Sequence, residues 1–158
     1  MSELSLFTHV TETVTTNDYY TPKWLFDAMG LEFDIDVCAP VHGIPWIPAK
    51  RWFSQADDGL AQEWGGLVWM NPPYSDTTPW AYKFLEHANG MALMPVSRSK
   101  WFLKIWNTPN VLIVATPTDF KFETPDGLKK TISVQTFLFA MGDTATNALH
   151  NMKLGRVR

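Results

Sequence analysis

Asn71-Pro72-Pro73-Tyr74 sets an amide, two prolines and an aromatic ring in one short run. An exocyclic amine on a nucleobase is a poor nucleophile, because its lone pair is conjugated into the ring. If the Asn71 side-chain oxygen and the Pro72 carbonyl both accept its N–H groups, the nitrogen is drawn towards tetrahedral geometry. Its lone pair can then meet an electrophilic methyl group, the gain coming from acceptors aimed at developing positive charge. Tyr74 follows as a flat face on which a base could stack. An isolated Asn-Pro-Pro is also an ordinary strand-ending turn. The residues before it separate the two readings: Leu67-Val68-Trp69-Met70 is an apolar run of buried-strand character, and the two prolines cannot continue its ladder. A polar amide is thereby held at the carboxyl end of a central strand, where open α/β sheets keep their ligand crevice.

The elements that must position this motif can be read along the chain. Residues 1–18 are rich in Ser and Thr and weakly patterned, and are expected to form a flexible arm. Residues 19–158 then form a single domain. Tyr20-Thr21-Pro22 opens a helix, with Thr21 as its cap, Trp24, Leu25 and Ala28 on its apolar face, and Gly30 at its end. Phe33 to Ala39 reads as a strand in which Phe33, Ile35 and Val37 alternate with Asp34 and Asp36. An acidic residue near the end of such a strand commonly faces a nucleoside cofactor, although a half-exposed strand carries aspartates for no such reason.

Val41 to Phe53 has no helical period and is expected to be loop, with a short strand near Arg51 to Phe53. Asp57-Asp58-Gly59-Leu60 starts a turn or helix, in which either aspartate could be a cap. Past the motif, Thr77 or Thr78 caps a helix through Trp80, Phe84, Leu85 and Ala88. Met91 to Val96 is a buried strand, Trp101 to Trp106 a short helix, and Val111 to Ala115 a further strand. Phe120 to Glu123 and Ile132 to Met141 read as a closing hairpin around Pro125-Asp126-Gly127. Strands alternating with helices, then a hairpin, predict a three-layer α/β sheet, mostly parallel with an antiparallel C-terminal hairpin.

Composition bounds the function. At 158 residues and 46% hydrophobic the chain can bury a real core, which excludes disorder. No apolar run reaches transmembrane length, and the start lacks a signal-peptide pattern, so no membrane association is expected. The single cysteine, Cys38, cannot make an internal disulfide, which fits a reducing cytoplasm. His and Cys do not recur at metal-ligand spacing, and no metal is expected. The net charge of −3 is unevenly divided. Residues 1–91 hold 4 basic and 12 acidic side chains, a balance of −8, while residues 92–158 hold 9 and 4, a balance of +5. Such a division can arise by chance, but it also fits an acidic half for a cationic cofactor and a basic half for phosphates.

Six ordered blocks resemble one family. They are Tyr20-Thr21-Pro22 with Leu25-Phe26-Asp27; Phe33 to Ala39; Trp52-Phe53 with Asp57 to Ala61 and Trp64; Asn71 to Tyr74; Pro95 to Arg98 with Trp101-Phe102; and Lys121-Phe122. Over Tyr19 to about Met141 the chain is similar to the phage-type DNA N6-adenine methyltransferases, the Dam-like family of small S-adenosylmethionine enzymes. The resemblance implies a Rossmann-like methyltransferase sheet, methyl transfer to adenine N6 in DNA, and, for a phage-encoded protein, the cytoplasm of a bacterial host. It implies that Tyr20, Thr21 and Pro22 line the methionine end of S-adenosylmethionine, above a loop formed by Asp36, Cys38 and Ala39. Asp58 would accept from the cofactor adenine amine, and Asn71, Pro72, Pro73 and Tyr74 would hold the target. Phe122 would stack on the flipped base from the other side.

On the basic half, Arg98, Lys100, Lys121, Lys129 and Lys130 are expected to meet the DNA backbone. The chain departs from the wider methyltransferase pattern in offering only Gly43 where a Gly-x-Gly is usual. No separate target-recognition domain is evident, which leaves sequence specificity to loops, to an oligomer such as a homodimer, or nearly absent. Two other functions fit the same residues: methylation of another conjugated amine, such as a protein glutamine, or a non-catalytic DNA- or cofactor-binding role on the same fold.

Overall fold

The computed structural model describes residues 19–154; the arm expected over 1–18 lies outside the described residues. Among the described residues, four α-helices and a five-stranded mixed sheet make up the main body. The helices are α1 (Lys23–Met29), α2 (Thr78–His87), α3 (Lys100–Asn107) and α4 (Asp143–Met152). The strands are β1 (Ile35–Asp36), β2 (Val68–Met70), β3 (Gly90–Pro95), β4 (Leu112–Ala115) and β7 (Thr136–Met141), in the order β1-β2-β3-β7-β4. β1, β2 and β3 pair in parallel, and β7 runs antiparallel to both β3 and β4. A separate ribbon pairs β5 (Phe122–Glu123) with β6 (Lys129–Lys130).

The alternation of side chains explains the layers. Trp69, Met91, Leu93, Leu138 and Ala140 face one side and pack with Leu25, Phe26 and Met29 of α1 and Ala145 and Leu149 of α4. Val68, Met70, Ala92, Met94, Phe139 and Met141 face the other side and meet Trp80, Ala81 and Phe84 of α2 and Trp101, Phe102 and Ile105 of α3. The sheet is therefore covered on both faces, which is why β2 and β3 read as continuous apolar runs. Each fully buried large side chain on these faces contributes about 1.5–3 kcal/mol.

The structure corrects the expected hairpin. A short ribbon does form around Pro125-Asp126-Gly127, but its return strand is Lys129–Lys130, and Thr136–Met141 leaves it to enter the main sheet between β3 and β4. Residues buried on both faces need a neighbour on each edge, and a C-terminal edge position would have left one ladder open. Two capping expectations also change. Pro22 holds the N-cap position of α1, and Thr21 makes no cap bond there. Thr77 does hold the N-cap position of α2, but without a side-chain cap bond; its hydroxyl donates back to the Pro73 carbonyl at 3.2 Å. The strand expected over Phe33 to Ala39 shortens to Ile35–Asp36, with parallel bridges from Phe33 to Ala49 and from Asp36 to Trp52 on its outer edge.

The start of β2 is fixed by a side chain. The Asp34 carboxylate accepts the Leu67 N–H at 2.7 Å, and that bond with the nearby Lys50 ammonium lowers its pKa below the ordinary carboxylate value. Gly66 lies at φ 72, and a Cβ there would stand 2.1 Å from the Asp34 carboxylate, so only glycine lets the chain pass. Among the described residues no helix is long and apolar enough to cross a membrane.

Candidate active site

β1 and β2 end side by side, and the cavity opens beyond their carboxyl ends. It has a volume of about 360 Å³ and is lined by Tyr20, Thr21, Asp36, Cys38, Ala39, Asp58, Asn71, Pro72 and Pro73 among others. Residues drawn from positions 20 to 73 are thus brought to one wall-to-wall space. Pro22 and Tyr74 do not line it. Tyr74 instead borders a shallower groove of about 750 Å³, with Ser75, Thr77, Ser97, Ser99, Trp101 and Thr131 to Val134; Tyr19 borders both spaces.

Asn71 lines the cavity and is tied to the residues that precede α1. Its Nδ2 donates to the Tyr19 carbonyl at 3.2 Å and to Thr21 Oγ1 at 3.3 Å. A carbonyl can only accept, so the nitrogen end of the amide must point that way, and Oδ1 is left as the outward acceptor. Oδ1 has no partner among the described residues and is not sealed from solvent. No hydrogen bond among the described residues reaches the Pro72 carbonyl, whereas the Pro73 carbonyl is taken by the Asp76 N–H and the Thr77 hydroxyl. The two prolines deny this turn its N–H donors and leave two acceptors at its mouth.

Asp36 carries the main electrostatic feature. Its side chain is 3% exposed, and burial raises its pKa to about 7, against the opposing hydrogen bond from the Cys38 N–H at 3.2 Å. The same burial and the neighbouring carboxylate push the Cys38 thiol up to about 12, so it is a wall of the cavity and not a thiolate nucleophile. At the rim the two aspartates divide their tasks. Asp57 closes the short turn Gln55–Asp57 by accepting from the Ser54 N–H at 2.8 Å and the Ser54 hydroxyl at 3.1 Å. Asp58, in a left-handed conformation at φ 54, lines the cavity with a carboxylate that has no partner among the described residues.

Gly59 follows at a forced close approach. A Cβ there would lie 2.3 Å from the Val37 carbonyl and 3.1 Å from the Trp80 ring. Gly43 is a turn residue at φ 67 packed under the Trp52 ring, and the loop it closes contributes Val41 and Ile44 to the cavity. Ile44, Ile47, Ser54, Gln55 and Trp80 are lining residues that sequence reasoning missed. Ile44 and Ile47 lie in a loop with no period to mark an inward face, Ser54 and Gln55 in the short turn after it, and Trp80 on α2 read as a core position.

Tyr74 and Phe122 do not form an open pair of platforms. Phe122 is 1% exposed and buried among Tyr19, Phe120 and Tyr74, its ring 6.3 Å from that of Tyr74 and nearly perpendicular to it. An apolar ring in that core cluster buttresses Tyr74 and offers no free face to a base, which corrects the expectation for Phe122. The Tyr74 hydroxyl donates to the Leu93 carbonyl at 3.4 Å, and burial pushes its pKa up, so the phenol stays protonated. Arg98, Lys100, Lys121, Lys129 and Lys130 are all exposed. Arg98 sits between the groove residues Ser97 and Ser99, and Lys130 precedes Thr131, so the groove is flanked by cations in sequence; Lys129 pairs with Glu123 at 3.4 Å.

No solved structure matches this chain. A DNA N-6-adenine-methyltransferase of Haemophilus phage HP1 (strain HP1c1) is 31% identical over 93 residues, which cover 52% of this chain and 52% of that relative. The chain therefore spans about half the length of the curated relative it matches. Residues 9–114, which contain the cavity wall from Tyr20 to Trp80 and the whole Asn-Pro-Pro-Tyr turn, match the family described as DNA N-6-adenine-methyltransferase (Dam), and the chain belongs to that family.

Proposed function

We propose that this protein transfers a methyl group from S-adenosylmethionine to the N6 amine of adenine in DNA, on a Rossmann-like methyltransferase sheet. What supports the reading is the Asn71 amide, held by its nitrogen, so that Oδ1 and the carbonyl of the next residue, Pro72, are both without a partner among the described residues. Two unspent acceptors at one turn fit a planar NH₂ group with two protons to give.

The cavity residues fit the methyl donor. The volume falls within the roughly 300–1,000 Å³ usual for small-molecule sites. Asp36 is a buried carboxylate short of partners, suited to a cationic ligand, and Asp58 is an unspent acceptor at the rim for an amine. Ile44 and Ile47 supply an apolar wall for a nucleoside. Tyr20, Thr21, Pro22, Cys38 and Ala39 complete the segments around it. S-adenosylmethionine, when bound, supplies the electrophilic methyl group.

The chain's own residues do the rest. Asn71 Oδ1 and the Pro72 carbonyl accept the two N6 protons and withdraw the nitrogen lone pair from the ring. Pro73 fixes the turn and Thr77 ties it to α2, so the acceptors are in place before the base arrives. Tyr74, braced by Phe122, gives the base a face on the groove side. Neither Asn71 nor Pro72 can take a proton, so the surplus proton of the methylated amine leaves to water. Arg98, Lys100, Lys121, Lys129 and Lys130 supply phosphate contacts along the groove and ribbon.

The test is incubation of the purified protein with S-adenosylmethionine carrying a labelled methyl group and with duplex DNA, followed by nucleoside analysis. Label in N6-methyladenine supports the reading. Label in protein, or bound cofactor without transfer, would replace it by the glutamine or the non-catalytic alternative.

A further inference from the structure

We infer that Thr21 is a positioning residue for the target amine: its hydroxyl, with the Tyr19 carbonyl, sets the orientation of the Asn71 amide. This rests on the proposed amine clamp and adds to it a residue 50 positions away in sequence. Thr21 is wholly buried, yet it makes no cap bond to α1; among the described residues its hydroxyl meets Asn71 Nδ2 at 3.3 Å. The residue type suits that task. A β-branched side chain has few rotamers, and a residue that precedes proline is held extended, so Thr21 Oγ1 is confined twice over.

The strap Tyr19-Tyr20-Thr21 is itself fastened at each residue. Tyr20 exchanges both backbone hydrogen bonds with Glu123, at 2.7 and 2.9 Å. The Thr21 carbonyl accepts the Trp46 indole N–H at 2.8 Å, and Tyr19 stacks on Phe122 with centroids 5.9 Å apart. The strap therefore joins three parts of the chain, namely the loop at Trp46, the ribbon at Glu123 and the turn after β2. Without it the Asn71 amide could rotate, and its nitrogen would compete with Oδ1 for the place facing the target amine. An Nδ2 donor there would oppose an N–H donor of the base.

Side-chain amide relaxation on isotope-labelled protein reads this without any substrate. The Asn71 NH₂ group should be rigid in the wild type and in Thr21→Ser, and loosened in Thr21→Val, which keeps the shape and loses the acceptor. Trp46→Phe, which removes the indole N–H from the Thr21 carbonyl and keeps a ring beside Tyr20, should loosen it part of the way. In turnover, Thr21→Val should lower kcat about tenfold, a typical scale for one lost orienting hydrogen bond, while Thr21→Ser restores it to within about threefold. Affinity for S-adenosylhomocysteine by calorimetry on the same variants separates this loss in kcat from any effect on the cavity that Thr21 also lines.

An unaltered Asn71 amide in Thr21→Val overturns the inference. So does a raised cofactor Kd with kcat intact, which would make Thr21 a cofactor contact only. If wild type fails to methylate adenine, the proposed function falls, and the amide comparison still decides the role of Thr21.

Discussion

Replacing Asp36 by Asn should alter how the stability of this protein depends on pH. In the ligand-free fold the Asp36 pKa is raised from 3.8 to about 7 by burial, with only the Cys38 N–H to offset it. The unfolded chain therefore releases the Asp36 proton several units earlier than the native one. Its contribution is fully present below about pH 4 and is lost as pH rises through about 7. Three pKa units at 1.36 kcal/mol each make that loss roughly 4 kcal/mol, of which about 2–3 kcal/mol falls between pH 5 and pH 8. Urea titrations of wild type and Asp36→Asn at several pH values in this range measure it. The difference in unfolding free energy between the two should drift by that amount, with the wild type losing ground as pH rises. A difference that stays constant with pH would refute the buried-carboxylate reasoning. A cationic ligand favours the ionised carboxylate, so its binding near pH 6 should release a proton, measurable by calorimetry in buffers of different ionisation enthalpy.

Further substitutions separate the roles of neighbouring residues. Asp58→Ala should weaken S-adenosylmethionine binding by about 1–3 kcal/mol in a calorimetric titration, whereas Asp57→Ala should cost about 0.5–2 kcal/mol of stability and leave affinity nearly intact. An unchanged affinity in Asp58→Ala would leave Asp58 a rim residue without a ligand. Gly59→Ala forces a Cβ to within 2.3 Å of the Val37 carbonyl and should destabilise by about 1–3 kcal/mol in chemical denaturation; a neutral effect would mean the cavity floor yields. Replacing Lys129 and Lys130 together by Ala should make the log–log salt slope of duplex binding shallower by up to about two units, read by fluorescence anisotropy. Because Lys129 is already paired with Glu123, most of that change should reside in Lys130, and an unchanged slope would remove the ribbon from the DNA surface.

What the sequence made legible was set by local physics. Leu67 to Met70 ended by two prolines could only be a buried strand with an amide at its exit, and β2 and its turn are as expected. The helices from Thr78 and Lys100 carry apolar residues at helical spacing, and they were legible for the same reason. Where β7 inserts was not legible. Thr136 to Met141 is apolar enough for a central strand, but nothing in it states which two strands it will separate. α4 escaped notice because Ala145 and Leu149 give it a narrow apolar stripe among polar residues. Within the site, the sequence placed Asn71 and Thr21 in separate tasks. Their hydrogen bond exists only because a strap is fastened by Trp46 and Glu123, and such long-range pairing leaves no periodic trace. Phe122 failed as a stacking platform for a related reason: an aromatic beside a lysine looks exposed until Tyr19 and Phe120 are seen to bury it.

In the proposed mechanism Asn71 Oδ1 and the Pro72 carbonyl clamp an amine of the substrate. Single-turnover methylation of duplex DNA by Asn71→Ala, with cofactor affinity measured on the same preparation, tests it most directly. The transfer rate should fall by about two to three orders of magnitude, with S-adenosylmethionine bound nearly as tightly as by the wild type. Wild-type transfer by Asn71→Ala would contradict it.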